Sequence, residues 1–398
     1  MLVFLGFLGL FAVSLADPTP DPWGVYGEVC MANTPGVYDP ADSQTVPWYT
    51  VNLDEDPKTR WALVARSRAQ GILDTLETVH QFIGEHGLLG EMGELLWQIL
   101  LNSMDDAVFH LPEPYRSEIL GFADAANIPV SKLVLLNLFY EISKGCTSIV
   151  AEDPNGKIYH ARNQDFGTFF IWNTTLETWQ QTIALKNILI NVNYIRGGKT
   201  VYKGVTFAGH MGVLTGMKPH AFTISTNSRA GKSWDNLAAW FAGQANERIE
   251  LIWADRQVLE VANSFDEAID YLSTVPLFAS GYFIVGGRKS GEGAIITRGP
   301  NGTDHIERID TSKPDGWYVL ETNYDWDKVE FYLDSRIGPG NDCMKRLTRA
   351  NVGLEGLYQV LSSKPNLNKA TVYTSVMQVD DLAFQSFIRD CPNPCWFV

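Results

Sequence analysis

The sequence predicts a layered α+β protein, and three observations carry that expectation. Apolar residues recur at three- and four-residue spacing through residues 58–143, the mark of helices. After Cys146 the pattern changes to short β-branched, alternating runs, the mark of strands. Two helical runs then interrupt the strands, and strands, helices and strands in that order suit helices laid outside sheets. The chain has 398 residues, 45% hydrophobic and 12% aromatic, enough to bury a core of one large domain or two. It contains no internal repeat and no low-complexity segment.

In chain order, the helical part comprises "TRWALVARSRAQGILDTLETVHQFI", "LLGEMGELLWQILL" and "SEILGFADAANIPVSKLVLLNLFYEI". A hairpin follows: Thr147–Glu152 is rich in β-branched residues, Asp153-Pro-Asn-Gly156 is a turn signal, and Ile158–Asp165 returns as the second strand. Cys146 stands at the first position of that hairpin. Strands are expected at "ILINVNYI", "TVYKGVTFAG" and "AFTISTN", with "RGGK" turning between the first two. "SWDNLAAWFAGQANERIELIWADRQVLEVA" and "SFDEAIDYLSTV" read as helices, and "YFIVGG", "GAIITRG", "HIERID" and "GWYVLETN" as further strands.

The opening "MLVFLGFLGLFAVSLA" is apolar, with Ser14 and Ala16 placed as a cleavage site requires, although its start lacks Lys and Arg. It is too short for a membrane span and reads as a signal peptide over residues 1–16. No later stretch is expected to span a bilayer, because Glu91 and Glu94 interrupt the most apolar run. Two N-x-[ST] sequons, Asn173-Thr-Thr and Asn301-Gly-Thr, fit passage through the secretory pathway. The formal net charge of −15, with no basic stripe, excludes a nucleic-acid partner. An acidic organelle would protonate some of these carboxylates and relieve their repulsion.

Secretory entry changes how the five cysteines are read: Cys30, Cys146, Cys343, Cys391 and Cys395. An odd number leaves at least one thiol unpaired within the chain. Cys391-Pro-Asn-Pro-Cys395 is a tight loop suited to a local disulfide, and Cys30 with Cys343 would then be the long-range pair. Four cysteines allow three pairings, so spacing leaves the choice open. Cys146 is the odd one out, either an inert core thiol or a reactive one.

Several chemistries are absent from the sequence. There is no G-x-S-x-G elbow and no H-E-x-x-H helix, and the seven histidines are scattered singly, so no metal site is expected. "TNSRAGKS" and "NYIRGGKT" end like a phosphate-binding loop but carry Thr226 and Asn193 in place of its leading glycine.

Cys146 supports a different chemistry. A cut at the Gly145–Cys146 bond would give Cys146 a free α-amine beside its own thiol, placing nucleophile and base on one residue. Arg162 and Asp165 lie on the returning strand, where pairing brings them back beside Cys146. A guanidinium there favours thiolate and disfavours ammonium. That matters in acid, since an unshifted amine costs about 3.7 kcal/mol to neutralise near pH 5. Either the amine is depressed, or thiolate and ammonium titrate as one pair. Asp165 could hold the amine; an ordinary cross-strand salt bridge with Arg162 is the simpler role.

"CTSIVAED…HARNQDFG", "VTFAGHMGVLTG", "ETNYD" and "LNKATVYTSVMQVD" resemble the acid ceramidases, in the cholylglycine-hydrolase-like group of N-terminal nucleophile hydrolases. The resemblance covers nearly the whole chain after residue 16, including the Cys-Pro-x-Pro-Cys tail, and several motifs agree in order and spacing. The related N-acylethanolamine acid amidases are the alternative; Phe166-Gly167 after Asp165 and the "RDCPNPC" ending favour the ceramidases. The resemblance implies an αββα sandwich with a mainly helical N-terminal subunit packed against it. It implies a proenzyme that cuts itself into an α subunit, 17–145, and a β subunit, 146–398. It implies lysosomal hydrolysis of ceramide to sphingosine and a fatty acid, with secretion as a second destination and no cofactor. A lipid-presenting activator protein and anionic lysosomal membranes would be its partners. Position by position, Cys146 would be the nucleophile, Arg162 and Asp165 would arrange its terminus, Asn323 would donate its amide to the oxyanion, and Arg336 would be a further site arginine. Cys30–Cys343 and Cys391–Cys395 would be the disulfides, the first tying the two pieces together.

One position departs. The family carries Asn-Glu-Arg where this chain has Asn227-Ser228-Arg229, so a carboxylate expected near the site is a serine that cannot hold charge. A reading of another class stays open: a secreted lipid-binding protein with an intact chain, an inert Cys146 and an apolar helical surface around Leu96 to Leu101.

Overall fold

The computed structural model describes residues 28–83, 91–139, 145–166, 171–230, 248–331 and 334–396, with 236, 239 and 244 besides. The expected signal segment lies outside the described residues, as does most of 233–247 in the helix expected from Ser233 to Ala262. That helix is not continuous, since residues 248–250 are non-helical and the observed helix starts at Leu251.

Strand β1 (Trp48–Asn52) precedes four helices: α1 (Ala62–Ile83), α2 (Glu91–Ala107), α3 (Tyr115–Ala126) and α4 (Val130–Phe139). The hairpin follows as β2 (Gly145–Glu152) and β3 (Ile158–Asp165), paired with Gly145 opposite Asp165 and Glu152 opposite Ile158. Its turn forms because Asp153 Oδ1 accepts from the backbone of Asn155 and Lys157, while Gly156 takes φ +83°, which side chains rarely allow. Next come β4 (Trp172–Asn173), β5 (Thr178–Trp179), α5 (Gln180–Ile188), β6 (Leu189–Arg196), β7 (Lys199–Phe207), β8 (Thr215–Lys218) and β9 (Phe222–Ser228). Helices α6 (Leu251–Val261) and α7 (Phe265–Thr274) separate these from β10 (Gly281–Gly286), β11 (Gly293–Gly299), β12 (Gly302–Arg308) and β13 (Tyr318–Glu321). The chain finishes with α8 (Ile337–Leu347), α9 (Leu354–Leu361), β14 (Thr371–Gln378) and β15 (Ala383–Ile388).

The strands form two main sheets. One has the order β1-β6-β7-β8-β9-β10-β11-β12; the other is β13-β2-β3-β14-β15. All their pairings are antiparallel except β1 with β6, so the part before Cys146 contributes an edge strand to the larger sheet. The sheets face each other across Val150, Ile158, Tyr282, Ile284, Ile295 and Val319. Helices α6 and α7 cover the outer face of the larger sheet, and α8 and α9 that of the smaller, where Ile149, Ala161, Leu347, Leu361 and Val376 pack. The result is the expected αββα sandwich, with α1–α4 packed alongside. No described helix is long and apolar enough to cross a membrane.

The disulfides Cys30–Cys343 and Cys391–Cys395 are present, and Cys146 is free and buried. Asn301 is exposed, whereas Asn173 is half-buried and hydrogen-bonded to Thr175, Leu176 and Gln180. On α2, Trp97 and Met104 enter the core while Met92, Leu95 and Ile99 stay exposed.

Candidate active site

Alternation along β2 turns Cys146, Ser148 and Val150 toward the larger sheet, as the Ser148 Oγ bond to Asn227 Oδ1 on β9 shows. The partner strand places His160, Arg162 and Gln164 on the same face, with Gln164 directly opposite Cys146 and Arg162 opposite Ser148. Arg162 therefore reaches the sulfur diagonally, its Nη2 donating to Cys146 Sγ at 3.1 Å. The guanidinium is fully buried and fixed by Leu214 O at 2.6 Å, Thr215 Oγ1 at 3.0 Å, Tyr373 Oη at 3.2 Å and Thr226 O at 2.6 Å. Its positive charge thus lies against the sulfur, where negative charge appears when the thiol attacks.

Asp165 points the other way. Its Oδ1 accepts from Thr371 Oγ1 at 2.6 Å, and its Oδ2 from Asn368 Nδ2 at 3.1 Å and Arg336 Nη1 at 3.4 Å. Burial pushes its carboxyl up to about 6, against the opposing pull of Arg336 and the two hydrogen bonds. Asp165 and Arg162 consequently occupy opposite faces of β3, and the simple salt bridge between them is not formed. Gly145 fits closely here: a Cβ on it would lie 3.3 Å from Asp165 Cβ and 3.6 Å from Arg336 Nη2.

Arg336 and Asn323 meet the backbone of Cys146. Arg336 Nη1 donates to Cys146 O at 2.5 Å, and Nη2 to Asn323 Oδ1 at 2.7 Å. Asp334 holds the same guanidinium through Nε at 2.6 Å. Burial would discharge Arg336, but Asp334 and Asp165 more than offset it and keep it charged. Glu330 accepts from the backbone nitrogens of Arg336 and Ile337, fixing the start of α8 and with it the arginine. Asn323 Oδ1 accepts from Cys146 N at 2.9 Å, while its Nδ2 donates to Ser228 O at 2.8 Å. The donors on one side and the carbonyl on the other determine which way the carboxamide faces. In the uncut chain the amide nitrogen is thus engaged by Ser228, and the oxygen, not the expected donor, meets Cys146.

All five expected site residues converge on one end of the sandwich. Ser228 contributes through its carbonyl, and its side chain is half-exposed. Sequence reasoning did not single out Tyr373, Thr371 and Asn368, although they lie in the "LNKATVYTSV" run, nor Asp334, two residues before Arg336. Glu321, opposite Ser148, is also buried; burial, then Glu307 and Asp325, hold its carboxyl well above the usual range.

Residues 146–331 match the linear amide C–N hydrolases of the choloylglycine hydrolase family, a match that begins at Cys146. Residues 44–105 match the β subunit of N-acylethanolamine-hydrolyzing acid amidase. Over 373 residues the chain is 41% identical to a probable acid ceramidase of Caenorhabditis elegans, covering 92% of this chain and 91% of that protein. The chain belongs to the acid ceramidase family. Its human relative, acid ceramidase, is 36% identical over 379 residues, with 94% of this chain and 93% of that protein covered. Among solved structures, the Caenorhabditis elegans ortholog of N-acylethanolamine-hydrolyzing acid amidase superposes with a TM-score of 0.51 at 32% identity, covering 62% of this chain and all of that one. This acid ceramidase relative therefore shares its sandwich with the sister amidase while its full-length likeness runs to the ceramidases.

Proposed function

We propose that this chain is an amidase that hydrolyses ceramide to sphingosine and a free fatty acid, with Cys146 as an N-terminal nucleophile exposed by self-cleavage. The observation that carries the reading is the environment of Cys146: a free buried thiol, Arg162 Nη2 on its sulfur and Asn323 Oδ1 on its nitrogen. Full-length identity to acid ceramidases supports ceramide as the substrate.

In self-cleavage the Cys146 thiol attacks the Gly145 carbonyl and the acyl group shifts from nitrogen to sulfur. Water then hydrolyses the thioester, leaving a Gly145 carboxylate and a free Cys146 amine. The family matches at 44–105 and 146–331 lie on either side of this bond. In catalysis the new amine takes the thiol proton and the sulfur attacks the ceramide carbonyl. The amine returns the proton to the departing sphingosine nitrogen, and water releases the fatty acid from the thioester. Asn323 Oδ1 holds the amine, and Arg162 faces the charge on sulfur. A donor role for Asn323 toward the oxyanion requires Nδ2 to leave Ser228 O.

The reading extends to residence in the lysosome with an activator protein and anionic membranes as partners; the apolar leader, the sequons and the disulfides support entry to the secretory pathway. The N-terminal sequence of the larger fragment after incubation at acid pH tests the cut: it should begin Cys-Thr-Ser-Ile. An intact chain that binds ceramide without turnover would favour the lipid-binding reading. The match at 44–105 and the solved relative make N-acylethanolamines the competing substrates. In the same mixed micelles, ceramide should show the higher kcat/KM over N-palmitoylethanolamine; the reverse order would make N-acylethanolamines the preferred substrates.

A further inference from the structure

Asn227 hydrogen-bonds neither to the Cys146 sulfur nor to a charged side chain, yet it is fully buried at the end of β9 with both amide hydrogens and its oxygen engaged. Its Nδ2 donates to Glu321 O at 3.0 Å and Thr322 O at 2.8 Å, the two carbonyls that precede Asn323. Its Oδ1 accepts from Ser148 Oγ at 2.9 Å. The next residue, Ser228, takes the Asn323 amide on its carbonyl. Two successive residues of β9 thus hold Asn323 from two sides, one through its backbone and one through its side chain. We propose that Asn227 is a positioning residue for the reaction at Cys146, holding residues 321 and 322 so that the Asn323 carboxamide presents its oxygen to the Cys146 nitrogen.

The sense of the bonds supports this. Both Asn227 amide hydrogens go to carbonyls, so its oxygen must accept and Ser148 must donate. Ser148 in turn accepts from Ser225 Oγ at 3.0 Å, and Ser225 Oγ lies 2.9 Å from His160 Nε2. His160 Nδ1 faces Thr223 Oγ1 at 2.9 Å. Burial first, and then Arg162, lowers His160 to about 3, so the imidazole is neutral. The row from Ser225 through Ser148 to Asn227 therefore has one direction, set at its far end by the backbone that carries Asn323.

The inference rests on the reading of Cys146 as a self-cleaved nucleophile, and a double-mutant cycle separates the two. Precursors of the wild type, Asn227→Ala, Asn323→Ala and the double variant are incubated at acid pH. Splitting is followed over days, so that slow variants are still measured, and kcat and KM for ceramide in mixed micelles are then determined. Asn227→Ala should slow splitting by about 10- to 100-fold and lower kcat with KM nearly unchanged, as expected when an acceptor is displaced by a fraction of an ångström. In the Asn323→Ala background it should have no further effect. Equal slowing in both backgrounds would mean a packing role and overturn the proposal, as would a full rate in Asn227→Ala. If Asn227→Ala does not fold, Ser148→Ala removes only the donor to Oδ1. It should slow splitting about 3- to 10-fold alone and not at all without Asn323; a full rate alone, or equal slowing in both backgrounds, overturns the proposal. A wild-type chain that hydrolyses ceramide without splitting would defeat the self-cleavage reading, and the cycle on kcat would then decide the positioning role.

Discussion

The two ends of the space between the sheets are built from the same strands and differ in almost everything else. At one end Val150 and Ile158 of the hairpin meet Tyr282, Ile284, Ile295 and Ile309 in an apolar cluster. Two residues further along the same faces, Ser148 and His160 bond to Asn227 and Ser225, and beyond them Arg162 meets Cys146, Thr215 and Thr226. Both ends are buried. The apolar end gains about 25 cal/mol for each Å² of apolar surface removed from water. The polar end exchanges hydrogen bonds with water for bonds within the protein and gains little net stability. Alternation decides which face a residue joins; it does not decide whether that face serves packing or chemistry.

Substitutions should separate the two ends. The largest effect is expected for Cys146→Ala: a single uncut chain on a reducing gel and amidase activity at background. Cutting of that variant without any protease would remove Cys146 from the polar end's chemistry. Arg162→Met should come next, with kcat for ceramide lowered by about 100-fold or more, the usual loss when a charge-stabilising donor is removed. At the apolar end, Ile284→Ala should cost about 2–5 kcal/mol in urea unfolding while kcat per folded molecule stays unchanged. A fall in its kcat would mean the two ends are mechanically coupled.

Asp165 gives the comparison a pH axis. Its folded carboxyl is raised from 3.8 to about 6, so the folded chain keeps a proton that the unfolded chain releases in that window. The resulting stabilisation is fully present below about pH 3.8 and is lost as pH rises through about 6. It amounts to about 3 kcal/mol. Asp165→Asn should flatten this part of the curve of unfolding free energy against pH; an unchanged slope would assign it to other groups. The smallest effect is expected for Ser228→Glu, which should shift the pH–rate profile and leave self-cleavage intact. An unchanged profile would place that side chain beyond the electrostatic reach of the site.

The hairpin and its register were legible because β-branched runs, a Pro-Asn-Gly turn and a two-residue period leave little freedom. Helices α1 to α4 were legible for the same kind of reason. The helix α5 was not, because Gln180 to Ile188 runs straight into the apolar strand β6 with no breaker between them. In the site, Arg162 could be found from its place on the returning strand, whereas Asn323 and Arg336 lie 177 and 190 residues from Cys146 and carry no local signal. Only their resemblance to a family brought them forward. The orientation of the Asn323 carboxamide was beyond sequence altogether, since it depends on a backbone carbonyl at Ser228.

The Cys30–Cys343 bond spans 313 residues, and β1 lies as a parallel edge strand beside β6. Any single break between residues 30 and 343 therefore leaves one covalent molecule. If the freed segment lifts away, its return is a first-order event at an effective concentration in the millimolar range for a short tether, indifferent to how far the solution is diluted. A lumen that removes or dilutes free chains would not separate the pieces, and only a reductant would turn their reunion into a search between strangers.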